Sequence, residues 1–414
     1  MPYTARRSWV ELWDFVRSRV DFLYLLDIPN LDSFGISQTR AFLSANPPSS
    51  AFRDIYYAKW DDLIAKLPNL ISSHTIGQEV RRLPMLDTSK LSTELHLRRA
   101  YVVLAFLTHG YVWAAHRAIF GSLRQARHGT RVELRRALPV ELGSKEQPEG
   151  DEDGFCELDR LESQASFTGT RGEDAFYHVP VLIEAEGGPL VSLLLDAVAA
   201  SEKGDAVFIT DALNRSAETF VRMGKHLPKM YSALYAHMFY HEWPFLSGGK
   251  GMEAKGLPRG MVFRRSDAAG RAATCIGGSA GQSSLFQFLD YVLASSTRGR
   301  LAAKSPSLRL PSLRAFVKQR QSNKDLAHAY ESCMQQLRPW RDKHMAVVSK
   351  CIVRPARLAE QSTRNGHAEK LEVDAFEARK GEELQGTGGS ALIPFLRQPR
   401  DETLGFGDGN GTAE

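Results

Sequence analysis

The most informative stretch of this 414-residue chain is LRPWRDKHMAVVSKCIVRPA, Leu337–Ala356. At 3.6 residues per turn its apolar residues fall on one side, which predicts a buried amphipathic helix. The apolar stripe consists of Leu337, Trp340, Val347, Val348 and Cys351, and His344 lies in its middle. Because the residue before a proline is driven away from helical geometry, this helix is predicted to end near Pro355.

His344 has two explanations from the sequence. A histidine in an apolar stripe is commonly a core residue whose ring is hydrogen-bonded to a backbone carbonyl. It can also be a ligand of a metal ion or of a haem iron, because imidazole is the commonest metal ligand in proteins. The spacing by itself does not choose between these two explanations.

The composition excludes several classes of protein. The chain is 43% apolar and 24% charged, which is typical of globular proteins, and its length predicts two or three structural units. The net charge of +5 is small for this length and no basic stripe with interleaved aromatics occurs, so we expect no nucleic-acid partner. No run of about 18 apolar residues occurs, so we expect no membrane span.

The cysteines and the N-terminus indicate the compartment. Four cysteines are scattered without any CxxC pair, which argues against a disulfide framework or a zinc cage and fits a reducing compartment; they are Cys156, Cys275, Cys333 and Cys351. The N-terminal residues have an amphipathic helical pattern, but acidic residues interrupt it, unlike in a mitochondrial presequence. We therefore expect a cytoplasmic protein.

Helical periodicity recurs along the chain and predicts an all-α fold. The predicted helices cover residues 52–71, 95–119, 183–200 and 206–236, the last as one helix or as two with a kink near Pro228. His96, His109 and His116 lack the spacing of a helical metal pair, so they are interpreted as core or surface residues. Residues 139–166 are acidic and contain glycine and proline, which predicts a flexible loop.

Several motifs together resemble the indoleamine 2,3-dioxygenase family, haem proteins that open the indole ring of tryptophan. The stretch from Arg341 through His344 to Pro355 is similar to the proximal helix of that family. The run GGSAGQSS, Gly277–Ser284, is the most specific match, and FTGTRGEDAFY, Phe167–Tyr177, looks like a fungal-type version. The run GTGG, Gly386–Gly389, resembles the lid of the family. The resemblance covers approximately residues 28–395.

The resemblance implies two helical domains, the larger of which holds haem in a helical bundle. We expect a small N-terminal helical domain at residues 1–138, an acidic connecting loop at 139–166 and a large haem-binding domain at 167–399. Residues 400–414 are expected to be a disordered tail. A monomer is expected.

The resemblance also implies the residues of the site. His344 would bind the iron of haem b, with Arg341 and Asp290 paired beside a propionate and Phe286 next to the cofactor. The Ser279–Ala280 backbone would lie near dioxygen as the catalytic part of the site. The substrate would contact Phe176, Tyr177, Phe239, Gly278 and Thr387.

The activity implied by the resemblance is the opening of the indole C2–C3 bond of L-tryptophan, or of a related indole, by dioxygen. The product is N-formylkynurenine, at the first step of the kynurenine pathway towards NAD, and an electron donor must keep the iron ferrous. This chemistry needs few protein acids or bases, because the cofactor supplies the reactivity.

Three departures from the family pattern leave a second function open. Trp243 stands where the family has an arginine that pairs with the substrate carboxylate, and an indole cannot replace a bidentate guanidinium. An apolar helix that roofs the haem pocket is missing from residues 139–166, and a Met-Pro-x-x-His-Arg signature is missing near residues 295–311. The alternative is a haem-binding pseudoenzyme or sensor without tryptophan turnover.

Overall fold

A computed structural model describes most of the chain between residues 31 and 358. The described residues are 31–44, 48–119, 143–144, 158, 161–230, 245, 262–264, 272–274, 283–293, 313–355 and 357–358. The N-terminal residues with the amphipathic pattern, residues 295–311 and the expected tail at 400–414 lie outside these residues.

The described residues are mostly helical, which confirms the predicted all-α fold class. The helices are α1 (Ala58–Ala65), α2 (Leu67–Ser72), α3 (Ile76–Arg82), α4 (Glu94–Ile119), α5 (Arg171–Gly187), α6 (Pro189–Lys203), α7 (Ala206–His226), α8 (Ser284–Val292), α9 (Leu313–Gln319) and α10 (Lys324–Val348). A π-helical turn, Ser349–Val353, continues α10, and three short 3-10 turns are Leu31–Phe34, Ile55–Tyr57 and Thr88–Lys90.

Two antiparallel pairs of very short strands are present in the described part of the chain. β1 (Gly143–Ser144) pairs with β2 (Leu161–Glu162), so that a two-residue ladder joins the ends of the predicted acidic loop. β3 (Val262–Arg264) pairs with β4 (Ala272–Thr274). Neither pair was evident from the sequence, because strands of two or three residues show no periodicity.

A smaller apolar cluster is formed around α4. Helices α1, α2 and α3 pack on α4 through side chains such as Trp60, Leu67 and Ile76. Phe167 and Phe245, which are distant in sequence from these helices, belong to the same cluster. The predicted domain boundaries stay a prediction, and this cluster draws in residues from beyond position 138.

A larger apolar cluster is formed around α7 and α10, which pack along one another. Helix α7 buries one face against its neighbours. Its buried side chains include Leu213, Phe220 and Met223. Helices α5 and α6 pack on α7, while α8 and α9 pack on α6, so the helix with His344 lies within a bundle. The described helices include none with the length and apolar composition required to cross a bilayer.

Two predicted helices are each divided in the structure. The helix predicted over 52–71 is divided between α1 and α2 at Lys66, two residues before Pro68. The helix predicted from residue 183 is divided between α5 and α6 at Gly188, where a Cβ atom would lie 2.8 Å from the carbonyl oxygen of Thr39. Only glycine permits this approach of two backbones, and Pro189 then begins α6 without needing an N–H partner.

The helix with His344 is longer than predicted at its N-terminal end. It begins after Asn323, whose side-chain oxygen accepts a hydrogen bond from the N–H of Leu326 at 3.1 Å. Pro339 lies inside the helix, and the predicted end near Pro355 is preceded by the π-helical turn. Pro355 therefore follows a change of helical geometry and does not mark the end of the helix, because Pro355 is itself still helical.

Candidate functional site

The predicted apolar stripe of α10 is buried in the larger cluster. All five of its members are covered, namely Leu337, Trp340, Val347, Val348 and Cys351. The burial follows from the spacing, because these side chains recur on the side of α10 that faces the bundle. The stripe thus places His344 on the inner side of the helix.

His344 is a polar side chain within this apolar stripe. Its ring stacks near Trp340, with 5.9 Å between ring centroids and 25° between planes, and it has no hydrogen-bond partner among the described residues. Burial lowers the pKa of His344 to about 4, so the imidazole is neutral at pH 7. The side chain is nevertheless only half-buried. His344 is therefore a neutral, partly exposed imidazole on the inner side of α10.

Arg341 forms an ion pair with Asp290, which joins α10 to α8. Arg341 is 7% exposed, so its charge lies in the protein interior together with that of its partner. A guanidinium that is removed from water needs a counter-charge, and Asp290 supplies it. The guanidinium is therefore held on the same helix as His344, one turn earlier.

Phe286 makes a second contact between the same two helices. Its ring stacks on Trp340 with 4.2 Å between centroids and an angle of 19°. Phe286 and Asp290 are four residues apart on α8, so they share one side of that helix and meet α10 together. The indole N–H of Trp340 is buried and has no hydrogen-bond partner in the described structure.

Phe176 and Tyr177 lie side by side on α5 between the two apolar clusters. Phe176 packs against the larger cluster and Tyr177 against the smaller one, with 5.8 Å between their ring centroids. Tyr177 also makes an edge contact with Phe106 of α4 at 6.1 Å. These two predicted substrate residues therefore occupy the seam between the clusters.

Glu173 organises the beginning of α5. Its carboxylate accepts hydrogen bonds from five donors, which are the N–H groups of Phe167 and Thr168 and the hydroxyls of Ser166, Thr168 and Tyr177, at 2.6–3.1 Å. The N–H of Glu173 in turn donates to the hydroxyl of Thr170, the N-cap residue, at 3.2 Å, which is one of the two bonds of a capping box; the N–H of Thr170 donates instead to the hydroxyl of Thr168 at 3.4 Å. Glu173 therefore fixes the position of the Tyr177 hydroxyl.

An aromatic stack extends from the small cluster towards the segment that contains Trp243. Phe106 stacks on Phe167 at 4.4 Å, and Phe167 stacks on Phe245 at 5.1 Å. The Nδ1–H of His109 donates to the carbonyl oxygen of Phe245 at 2.9 Å, and burial lowers the pKa of His109. A neutral histidine of α4 thus anchors the backbone two residues after Trp243.

Two further carboxyl groups of α5 have opposite environments. Burial raises the pKa of Glu184 to about 7, and its carboxylate accepts a hydrogen bond from the hydroxyl of Ser283. The hydrogen bond from His226, with additional contacts from Arg222, lowers the pKa of Glu186 to about 2. Ser283 is also the N-cap of α8, because its hydroxyl oxygen accepts from the N–H of Phe286 at 3.3 Å.

The structure brings some of the predicted site residues into contact and leaves others undescribed. Asp290 and Phe286 of α8 contact Arg341 and Trp340 of α10, and the Trp340 ring stacks near His344 on the same helix. Phe176 and Tyr177 form a separate pair on α5. Five predicted residues lie outside the described part, namely Phe239, Gly278, Ser279, Ala280 and Thr387, as does Trp243. In the described part of the chain, no group of three or more metal-ligating side chains occurs.

Sequence reasoning missed several residues that the structure brings to this region. Trp340 was recognised only as an apolar position, although it lies between Phe286 and His344. The spacing of Thr170 and Glu173 is a capping-box signature that could have located the start of α5. No local signal marked Glu184, because its importance depends on contact with Ser283, 99 residues away.

Comparisons with known proteins agree with one another. The family model described as indoleamine 2,3-dioxygenase matches residues 30–123, 144–306 and 302–405. An indoleamine 2,3-dioxygenase of Penicillium citrinum is 29% identical over 406 residues, covering 91% of this chain and 88% of that protein. A 6-hydroxytryptophan 2,3-dioxygenase of Fusarium equiseti is 29% identical over 399 residues, covering 91% and 97%. A protein named myoglobin from Haliotis diversicolor is 28% identical over 404 residues, covering 90% and 97%.

Proposed function

Because this chain belongs to the indoleamine 2,3-dioxygenase family, we propose that it is a haem-dependent dioxygenase. Its substrate is L-tryptophan or a related indole, and its product is N-formylkynurenine or the corresponding ring-opened compound. The observation that supports the proposal most is His344, a neutral, half-buried imidazole without a hydrogen-bond partner among the described residues. A core histidine of the ordinary kind would be hydrogen-bonded.

The residues around His344 fit a haem group. A neutral imidazole has a lone pair available for iron, and the low pKa of His344 keeps it available throughout the physiological range. The ion-paired guanidinium of Arg341 is suited to an anionic propionate, because a guanidinium fork binds carboxylates well. The stacked rings of Phe286 and Trp340 offer flat apolar surface for a porphyrin.

Haem, when bound, supplies the dioxygen chemistry that no side chain can provide. The task of the protein residues is then to bind and orient the reactants and to keep water out. In this proposal His344 would bind the iron, Arg341 and Asp290 would hold a propionate, and Phe286 would pack against the cofactor. The apolar side chains where α8 meets α10, such as Phe286 and Trp340, would limit the access of water to the bound group.

The substrate side of the pocket is proposed from the remaining residues. Phe176 and Tyr177 would contact the indole ring, with Tyr177 restrained by its hydrogen bond to Glu173 at 2.9 Å. Phe239 and Gly278 would also line the substrate. The Ser279–Ala280 backbone would lie near dioxygen, and Thr387 would close over the substrate.

A second candidate function is haem binding without tryptophan turnover. Two observations favour testing it: Trp243 lacks the charge that a substrate carboxylate requires, and one relative of similar length is named a myoglobin. The protein would then hold haem through the same His344 and Arg341, and the substrate residues would serve another indole or none.

The first experiment is an absorption spectrum of the purified protein after reconstitution with haem. A Soret band is expected in the wild type and in His328→Ala, which removes an exposed histidine of the same helix, α10. The band is expected to be lost or shifted in His344→Ala. An unchanged band in His344→Ala would exclude His344 as the iron ligand, and no band in the wild type would overturn the proposed function.

The second experiment separates the two candidate functions. Turnover of L-tryptophan to a product that absorbs as N-formylkynurenine supports the dioxygenase, whereas a Soret band without turnover supports the alternative. Trp243→Arg is expected to raise the affinity for L-tryptophan and to leave that for tryptamine, which lacks the carboxylate, unchanged. An equal effect on both compounds would show that position 243 does not contact the carboxylate.

The remaining parts of the proposal concern partners and location. The protein would require dioxygen and an electron donor that keeps iron ferrous, and it would act as a monomer in the cytoplasm. Size-exclusion chromatography with light scattering tests the monomer, and microscopy of the tagged full-length chain tests the location.

A further inference from the structure

Glu184 and Glu186 are two carboxyl groups of α5 with opposite surroundings. Glu186 pairs with Arg222 at 2.5 Å and faces the Nε2 atom of His226 at 3.6 Å, which stabilises its charged form. Glu184 has Ser283 as its one hydrogen-bond partner among the described residues. Two groups so close in sequence with such different environments are a common sign of different chemical tasks.

The position of Glu184 on α5 directs it to the same side as the predicted substrate aromatics. It follows Tyr177 by seven residues and Phe176 by eight. Around the helix axis, Glu184 therefore lies about 20° from Tyr177 and about 80° from Phe176. Along the axis it is about 10–12 Å further on. The face of α5 that carries Phe176 and Tyr177 therefore continues to Glu184.

Ser283 connects Glu184 to the helix that meets α10. Its hydroxyl group donates to the Glu184 carboxyl group, and its oxygen caps α8 by accepting from the N–H of Phe286. Helix α8 then presents Phe286 to Trp340 and Asp290 to Arg341. The start of α8 is thus tied to α5 through one carboxyl group, directly after the run GGSAGQ.

The second oxygen of Glu184, Oε2, is buried and has no hydrogen-bond partner in the described structure. An ionised carboxylate in such a place is unfavourable, whereas a protonated one carries no net charge into the interior. Burial accordingly raises the pKa of Glu184 to about 7.

The charged groups of the neighbouring helices are engaged elsewhere. On α7, Arg222 and His226 face Glu186. On α10, Arg341 pairs with Asp290 of α8, and Lys343 donates to the carbonyl oxygen of Gly224 at 2.9 Å. Each of these cations already has a partner other than Glu184.

We propose that Glu184 is a positioning residue that works as a neutral carboxylic acid, holding Ser283 and the start of α8 so that haem can bind beside His344. Loss of its proton places a charge without a counter-ion in the interior, and the hydrogen bond from Ser283 offsets only part of that desolvation cost, so the contact between α5 and the start of α8 is destabilised. Haem affinity then falls as the pH rises. The inference rests on the proposed function for its haem-binding part only, because the protonation of Glu184 is a property of the protein without cofactor.

The first test measures thermal stability without haem. Folded Glu184 holds its proton up to a pH of about 7, and the unfolded chain releases it near 4.5, so this group makes the folded state less stable as the pH rises between these values. Glu184→Gln removes this effect. The melting temperature of Glu184→Gln relative to the wild type is expected to rise from pH 5 to pH 8.

Glu186→Gln is the matched control on the same helix. The pKa of Glu186 is lowered from 4.5 to about 2, so its stabilising effect is complete above pH 4.5 and is lost only as the pH falls towards 2. Its melting temperature is expected to lie below that of the wild type at both pH 5 and pH 8, because Arg222 pairs with the charged carboxylate of Glu186 at both pH values. If the melting temperature of Glu184→Gln relative to the wild type does not rise between pH 5 and pH 8, or if Glu184→Gln lies below the wild type by as much as this control at pH 8, Glu184 is not a neutral acid.

The second test measures haem affinity by titration of the Soret band between pH 6 and pH 8. Release of one proton with a pKa near 7 can lower the affinity of the wild type by up to about tenfold over this range. Glu184→Gln is expected to keep the affinity of the wild type at pH 6 and to show no such fall. Ser283→Ala is expected to lose affinity already at pH 6.

The outcomes separate this inference from the proposed function. Equal pH dependence of haem affinity in wild type and Glu184→Gln would overturn the positioning role while the proposed function stands. Haem binding by neither protein would overturn the proposed function and the positioning role together, and the melting temperatures would still decide the protonation of Glu184.

Discussion

Glu173 is the residue whose removal tests the beginning of α5 most directly. It is 2% exposed and serves five donors. Glu173→Ala leaves the buried N–H of Phe167 without an acceptor, at a cost of about 1–3 kcal/mol, and each of the four other donors loses about 0.5–1 kcal/mol. We expect the free energy of unfolding to fall by about 3–5 kcal/mol, because the hydroxyls can find other partners in part.

Two matched variants divide this effect. Tyr177→Phe removes a single donor and is expected to lower the free energy of unfolding by about 0.5–1.5 kcal/mol. Glu218→Ala replaces an exposed glutamate in the middle of α7 and is expected to change it by less than about 0.5 kcal/mol.

Urea unfolding of the full chain, followed by far-ultraviolet circular dichroism, measures these differences from the midpoints and a common slope. The reasoning would be refuted if Glu173→Ala fell within about 1 kcal/mol of the wild type, or if it matched the Glu218→Ala control. It would also fail if Tyr177→Phe were the more destabilising change, because the tyrosine hydroxyl is only one of the donors that Glu173 satisfies.

Three further predictions concern the contacts around the candidate site. Asp290→Ala removes the carboxylate that pairs with the buried guanidinium of Arg341 and is expected to lower the free energy of unfolding in urea by about 3–5 kcal/mol, whereas a loss below about 1 kcal/mol would mean that other groups or water replace the carboxylate. His109→Leu removes the donor to the carbonyl of Phe245, while His109→Asn places an amide N–H near the position of Nδ1. Proteolysis within residues 231–251 is therefore expected to be faster in His109→Leu than in His109→Asn, and equal rates would contradict the anchoring role. Leu337→Ala, at a fully buried position of α10, is expected to lower the unfolding free energy by about 2–5 kcal/mol in the same urea assay, and a cost below about 1 kcal/mol would contradict its close packing.

The sequence by itself determined the helical class, the buried face of α10 and the existence of α4 and α7. These features depend on the spacing of apolar residues along one helix, and that spacing can be read from residues that are close together in the sequence. The motif resemblance selected Arg341, Asp290 and Phe286, which do lie in contact with α10 or on it. The family membership was likewise available from the motifs.

Only the tertiary structure decided how the polar groups are satisfied. Glu184 and Glu186 are the same residue type on the same helix. Glu184 is buried and accepts a hydrogen bond from Ser283, whereas Glu186 contacts Arg222 and His226. The division of α5 from α6 at Gly188 likewise depends on a backbone, that of Thr39, far away in sequence. A carboxyl group buried without a counter-charge keeps its proton and one beside cations loses it, and no local pattern states which distant element covers which residue.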